Sequence, residues 1–246
     1  MNPEPLKPDK TMKIRYIKHS TLVIESGGKK IITDPWLVGN FRFFPARPRQ
    51  VKPEELQDLN LILISHGHGD HLHAESLVTL PKQAQVVSPR GLKNKLIRLG
   101  FLEVVELSPG EEFSLPPVTI TAVPARHPGQ CVGYMIKEEK TVYFAGDTVL
   151  FPGMKEIAAR FKIDAAFLPI GGVRMLGFKL GMDPADALRA AEILNPGILI
   201  PIHYATVPAI PFLFSMSGSP EELLRKAGPG LKEKIRVLAE GETLEI

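Results

Sequence analysis

Short apolar runs separated by turn residues dominate the chain. "KIRYIKHS", "TLVIES" and "KIITDP" read as the strands of a meander, and Gly27 and Gly28 between the last two supply the positive φ of a tight hairpin. The later runs "NLILIS", "QVVS", "VTITAV", "TVYFAG", "AAFLPI" and "GILIPI" lack polar alternation. Such runs suit strands covered on both faces. Helical periodicity appears between them. In "DPADALRAAEILNPG" Asp183 is a cap, Pro184 sits in the first turn, and Ala187, Ala191 and Leu194 share a stripe. "SPEELLRKAG" places Ser219 and Glu222 at capping-box spacing, and "RGLKNKLIRLG" and "GMKEIAARF" are further helices. The pattern predicts a sheet core with helices outside, in two halves that meet through their sheets.

With 246 residues, 44% of them hydrophobic, the chain is long enough for one substantial core, and residues 12–246 are expected to form one domain behind a frayed tail over 1–11. A net charge of +3 gives no electrostatic footprint for nucleic acid. The longest apolar stretch, residues 195–216, is interrupted by prolines and contains His203, which argues against a transmembrane helix. A lone cysteine, Cys131, excludes an internal disulfide and a thiolate cluster, fits a reducing cytoplasm, and leaves His and Asp as candidate metal ligands. Cys131 itself reads as a small packing residue.

"HGHGDHLH" places four histidines and an aspartate in eight positions directly behind the run "NLILIS". The remaining candidates also follow strands: His127 lies past "VTITAV", Asp147 follows "TVYFAG", and His203 ends "GILIPI". Taken singly each could be a cap or a buried polar residue, but loops from several strand ends can converge on one rim. His66, His68 and His127 make one ligand set; Asp70 and His71, opening the next helix, join His203 in a second; Asp147 can bridge. Three N/O ligands per ion with an open position is a catalytic arrangement, and two ions can acidify a water between them. His73 falls outside this spacing and reads as helix surface.

"HGHGDH" followed by "PARHPG", "FAGDT" and "PIHYAT", all preceded by "ITDPW", resembles the metallo-β-lactamase superfamily. "HSTLVIES", "LPIGG" and "MDPADALRAAEILNP" are more narrowly similar to metal-dependent hydrolases related to ascorbate-6-phosphate lactonase. The resemblance implies an α+β fold, the αββα four-layer sandwich, with a binuclear site. It makes Asp34 a support of the metal loop, and Asp70 a ligand that also orients the nucleophile or takes its proton. His19 is divided between a hydrogen-bonding support and a substrate contact, and Tyr204 between an oxyanion donor and a packing tyrosine. "RMLGFKLG", residues 174–181, departs from the relatives as a longer segment.

The expectation is therefore a hydrolase using a metal-bridging hydroxide on a small ester, lactone or phosphodiester. Its two divalent ions would be zinc first, with manganese or iron as alternatives. Arg174 is read either as the contact for an anionic group or as a solvated arginine. Arg42, Arg47, Arg49 and Lys179 add cations nearby, and the loops 39–50 and 207–216 are candidate lid segments or contacts within a homo-oligomer. A phosphodiesterase of nuclease or phospholipase D type is the alternative within enzymes. A non-hydrolytic metal-binding or redox protein is the alternative of another class. Oxygen-reducing relatives carry a carboxylate where this chain has His68, which disfavours the redox reading.

Overall fold

The computed structural model describes residues 11–38, 51–205 and 213–246. The 39–50 segment with Arg42, Arg47 and Arg49, most of the N-terminal tail, and the first part of the 207–216 stretch lie outside the described residues.

β1 (Lys13–Lys18), β2 (Thr21–Ser26) and β3 (Lys29–Thr33) form the expected meander, with Gly27 and Gly28 at φ 54° and 72° in its second turn. β4 (Leu61–Leu63), α1 (Ala74–Thr79), β5 (Gln85–Pro89), α2 (Lys93–Arg98) and β6 (Val104–Leu107) follow, the strands parallel to β3 and to one another. The second sheet starts with β7 (Glu112–Leu115), β8 (Val118–Pro124), β9 (Val132–Lys137) and β10 (Thr141–Phe144), all antiparallel. After α3 (Met154–Arg160), β11 (Ala165–Pro169) joins β10 in parallel. β12 (Arg174–Met175) and β13 (Phe178–Lys179) form a small hairpin, α4 (Pro184–Leu194) crosses back, and β14 (Ile198–Ile202) pairs in parallel with β11. β15 (Phe214–Ser215) then joins the hairpin at β12. α5 (Pro220–Lys226) and α6 (Pro229–Lys232) precede β16 (Thr243–Glu245), which returns to the first sheet beside β1.

The apolar residues sort into the four layers. Leu61 and Leu63 of β4 point with Ile14 and Leu22 into the space between the sheets, where Tyr134, Phe144 and Phe167 meet them from the second sheet. Ile62, with the opposite pleat, packs outward with Leu77 and Leu96 of α1 and α2. Tyr143, Ala166 and Leu199 turn outward beneath α3, α4 and α5. This two-sided burial explains why these strands lack polar alternation, and the architecture is the αββα sandwich expected from the sequence.

The caps of the two crossover helices are as read. Asp183 accepts from the Asp186 amide at 3.0 Å, Ser219 accepts from Glu222 at 3.2 Å, and Asn195 ends α4 in a left-handed conformation. The start of α1 differs. Asp70 and His71 lie in a turn before the helix, and His73 is its cap, buried and accepting from the Ser76 amide through Nδ1. His73 is therefore not helix surface. Ser76 Oγ also accepts from the amides of Leu37 and Val38, so the cap fastens the loop after β3 onto α1.

Candidate metal centre

The rim of the sandwich collects six of the chain's seven histidines, His19, His66, His68, His71, His127 and His203, with Asp70 and Asp147. His66 lies just beyond β4, Asp147 just beyond β10 and His203 at the end of β14, while His127 is carried by the β8–β9 connection. The ends of parallel strands in both sheets thus deliver side chains to one place, as their positions in the sequence implied.

His66 Nε2 and His127 Nε2 each lie 3.0 Å from His68 Nδ1. The outer nitrogens are already committed. His127 Nδ1 donates to the Leu180 carbonyl at 2.8 Å. Ser65 Oγ donates to Asp34 Oδ2 at 2.5 Å and accepts from His66 Nδ1 at 3.0 Å. The network therefore assigns the protons of His66 and His127 to Nδ1 and leaves both Nε2 atoms as lone pairs. Two lone pairs aimed at His68 Nδ1 cannot both be satisfied by its single proton. A cation between the three nitrogens resolves the conflict, because tetrahedral ligands at 2.0–2.1 Å stand about 3.3 Å apart.

Beside this trio lies a second set. Asp70 Oδ2 is 3.3 Å from His19 Nε2, 3.6 Å from His71 Nε2 and 3.8 Å from His203 Nε2. His71 Nδ1 donates to Asp34 Oδ2 at 2.6 Å, which leaves its Nε2 as a lone pair facing the site. His71 Nε2, His203 Nε2 and Asp147 Oδ1 are buried without a hydrogen-bond partner. Orphaned buried polar atoms are rare, and here they converge, as ligand atoms do. Asp147 stands between the two sets, with Oδ2 3.1 Å from His203 Nε2 and 3.9 Å from His127 Nε2.

Electrostatics agree with a place for cations. Burial opposes ionisation of Asp147, yet His203 and His71 hold its carboxyl well below the usual range. Asp70 is likewise held low by His71 and His19 against its desolvation. Burial disfavours the charged form of His203 too, but Asp147 pushes it up to about 9. His71 is raised by Asp147, Asp70 and Asp34 in spite of its burial. These carboxylates favour positive charge beside them, the charge that a bound cation supplies. Burial, followed by repulsion from His71, pushes His66 well below its ordinary value; His19, pressed by burial and His203, falls to about 3. Both stay neutral.

Asp34 serves both ligand sets. Its Oδ1 accepts from the Ser65 amide at 2.7 Å, while Oδ2 accepts from His71 directly and reaches His66 through Ser65. Both of its oxygens are engaged by protein donors, although it lies close to His66 and His71. Its backbone is held at φ 35° because its carbonyl accepts from Thr21 Oγ1 and its amide donates to Leu63. Ser65 as the relay was not picked out in the sequence, where a serine after an apolar strand carries no distinguishing signal.

A cavity of about 250 Å³ opens onto His68, Asp70, His127, Asp147 and His203. Its remaining wall includes Met175, Phe214 and Met216. A larger hollow shares His127 with this cavity and is otherwise lined by residues that include Arg90 and Arg126, and another, around Tyr16 and Tyr204, holds no convergent set of ligand atoms. His19 is fully buried behind Asp70, against His203 and Trp36. Tyr204 packs beside the second sheet's outer core and lines a different hollow with Tyr16, to which it is hydrogen-bonded. Arg174 is exposed, with Nη1 donating to the Gly177 carbonyl at 3.2 Å, and the cavity wall at this point is Met175. Lys179 forms ion pairs with Asp183 and Asp186 at the start of α4. Cys131 bridges in antiparallel fashion to His66 and is half-buried.

The model of the β-lactamase superfamily domain matches residues 29–204, which span the cluster from Asp34 to His203. The chain is 34% identical over 247 residues to a UPF0173 metal-dependent hydrolase of Pyrococcus abyssi, covering 96% of this chain and all of that one. Among solved structures it resembles Igni18, described as a novel metallo hydrolase from the hyperthermophilic archaeon Ignicoccus hospitalis. That match has 28% identity and a TM-score of 0.74, over 96% of this chain and 98% of the other. An isothiocyanate hydrolase from Delia radicum gut bacteria shares the fold, with a TM-score of 0.79 at 24% identity over 95% and 98% of the two chains. With this identity running the full length of a hydrolase, and the family model enclosing the clustered histidines from His66 to His203, the chain belongs to the UPF0173 metal-dependent hydrolases of the β-lactamase superfamily.

Proposed function

We propose that this hydrolase works with two divalent ions, zinc first, and cleaves a small ester, lactone or phosphodiester by attack of water. The observation that carries the reading is the pair of lone-pair sets on either side of Asp147: His66, His68 and His127 on one side, and Asp70, His71 and His203 on the other. His19 Nε2 lies with the second set and is a further ligand candidate there. Bound divalent ions supply Lewis acidity and an acidified water at neutral pH.

The chain's own groups do the rest. Asp34 and Ser65 fix the tautomers of His71 and His66, and Leu180 fixes that of His127. Asp70 reaches the cavity surface, where its carboxylate is placed to orient the attacking water and accept its proton. Asp147 balances charge from the buried side. The apolar wall opposite excludes bulk water and so strengthens the polar contacts across the cavity.

The test is elemental analysis of the protein after zinc loading, followed by a panel of ester, lactone and phosphodiester substrates. Two ions per chain and turnover abolished by chelation are expected. One ion at full occupancy that survives His203→Ala overturns the binuclear scheme. A fully loaded protein inert to every bond type overturns the hydrolytic reading of these substrates.

A further inference from the structure

The cavity has two unlike halves. Opposite the histidines and aspartates, its wall is built from Val173, Met175, Leu180, Phe214 and Met216. No lysine or arginine lines it among the described residues. Two of the five, Met175 and Leu180, lie within residues 174–181, Val173 directly precedes them, and the other two come from in and beside β15.

Strand register decides which side chains face inward. Met175 pairs with Phe178 across the hairpin and with Phe214 in β15, whereas Arg174 pairs with Lys179 and Ser215. Directly opposed residues share a face of a sheet, and alternate residues take opposite faces. Since Met175 and Phe214 line the cavity, the apolar face of β13–β12–β15 looks toward the ligand cluster and the face carrying Arg174 and Lys179 looks away. Lys179 is held there by Asp183 and Asp186. The apolar face extends outward through Phe178, which is 75% exposed. The Leu176 amide donates to the Leu213 carbonyl at 2.9 Å, so the wall is a hydrogen-bonded sheet placed before any ligand arrives.

We infer that this sheet is the specificity wall of the site and that it selects substrates with an uncharged, apolar substituent on the reacting centre. The inference rests on the hydrolytic reading for what the reacting centre is, but the wall can be read separately. A second anionic group on the substrate would be desolvated against thioethers and a phenyl ring with no partner, which is strongly unfavourable. An alkyl or aryl group instead gains from burial, and two methionines adapt to either shape. A cavity of about 250 Å³ lies below the usual drug-sized range, so the substituent is short, with the rim at Phe178 receiving anything longer.

Hydroxamates test the wall without turnover, because the same metal-binding head can carry different tails. Calorimetric titration of the zinc-loaded protein is made with acetohydroxamate, butanohydroxamate, hexanohydroxamate and the anion-ended monohydroxamate of succinic acid. Affinity is expected to rise about fourfold per added methylene, and the anion-ended probe is expected to bind no more tightly than acetohydroxamate. In protein labelled at the methionine methyls, the Met175 and Met216 signals should move with the longer tails. Met175→Lys, on an exposed hairpin, should abolish the chain-length gain and favour the anion-ended probe, while Arg174→Ala should leave the series unchanged. Equal affinities along the series, no binding by any member, or tightest binding of the anion-ended probe by the parent protein overturns the inference. The expected series in a protein that hydrolyses nothing overturns the hydrolytic reading and keeps the wall. Hydrolysis without the series does the reverse.

Discussion

The main-chain amide of His203 donates to the carbonyl of His19 at 3.0 Å, and both residues have left-handed backbones, at φ 55° and 58°. His19 belongs to the turn between β1 and β2 in one sheet and His203 to the end of β14 in the other, so this bond closes the sandwich at its rim. Their rings then lie with centroids 4.0 Å apart, facing Asp70. A non-glycine residue in this region costs about 1–2 kcal/mol, which persists because the surrounding structure fixes it. In metal-free protein, His203→Gly should therefore be more stable than His203→Ala by about 1 kcal/mol, although both lose a ligand. Equal denaturation midpoints would show that no backbone strain is held at this position.

Asp34 is expected to matter for both ligand sets at once. In Asp34→Asn, either orientation of the amide places an NH2 group against a donor, the Ser65 amide on one side or Ser65 Oγ and His71 Nδ1 on the other. Relief comes from moving the His71 proton to Nε2, which removes the lone pair that faces the site. Metal affinity should fall about 10–100-fold, the range for losing such a support. The loss should appear in both ions, because His66 depends on the same carboxylate through Ser65. Competition titration against a chromophoric chelator separates the two steps, and weakening of one ion alone contradicts the shared support.

The fold and the convergence of the candidate ligands on one rim were legible because each depends on local signals: apolar runs of strand length, a cap ahead of an apolar stripe, and His or Asp placed immediately after strands. What escaped depends on register and on unusual caps. His73 is a buried helix cap, a role that Ser, Thr, Asp or Asn would have announced. The direction of Arg174 follows from the pairing of two-residue strands, too short to show any period. His19 is drawn into the second ligand set by a hydrogen bond between sheets, which no spacing along the chain reveals.

Removing the ions should cost stability as well as activity. The orphaned atoms of His71, His203 and Asp147 are left facing one another when no cation satisfies them. A ligand that binds only the folded state at about 100 times its Kd contributes about 2.7 kcal/mol. Chelation should lower the thermal midpoint reversibly, and zinc should restore it in proportion to free metal. A midpoint indifferent to chelator, with metal loss verified by elemental analysis, rules out structural coupling of the site.

Asp147→Asn retains shape and removes the charge between the two sets. The fold should survive, since Asp147 stands beyond β10 and outside the apolar clusters. Turnover should fall by several orders of magnitude, because a neutral amide does not offset the two dications proposed for the site. Near-parental activity with both ions bound would place the bridging group elsewhere.

Leu176 combines two unfavourable features at the tip of the β12–β13 hairpin: it is 66% exposed and holds φ 50°. Gly177 follows at φ 83°, so the pair forms the two-residue turn in which Asn-Gly is the preferred sequence. Leu176→Asn should therefore stabilise the hairpin, and the whole chain by up to about 1 kcal/mol, because asparagine accepts the left-handed region and water solvates it. The substitution leaves Met175, Phe214 and Met216 in place on the cavity wall. Differential scanning calorimetry alongside substrate kinetics checks both halves of the expectation. A higher midpoint with unchanged kcat/KM marks the leucine as a replaceable turn residue. A higher midpoint with raised KM means that the tip itself touches substrate and extends the apolar wall beyond Phe178.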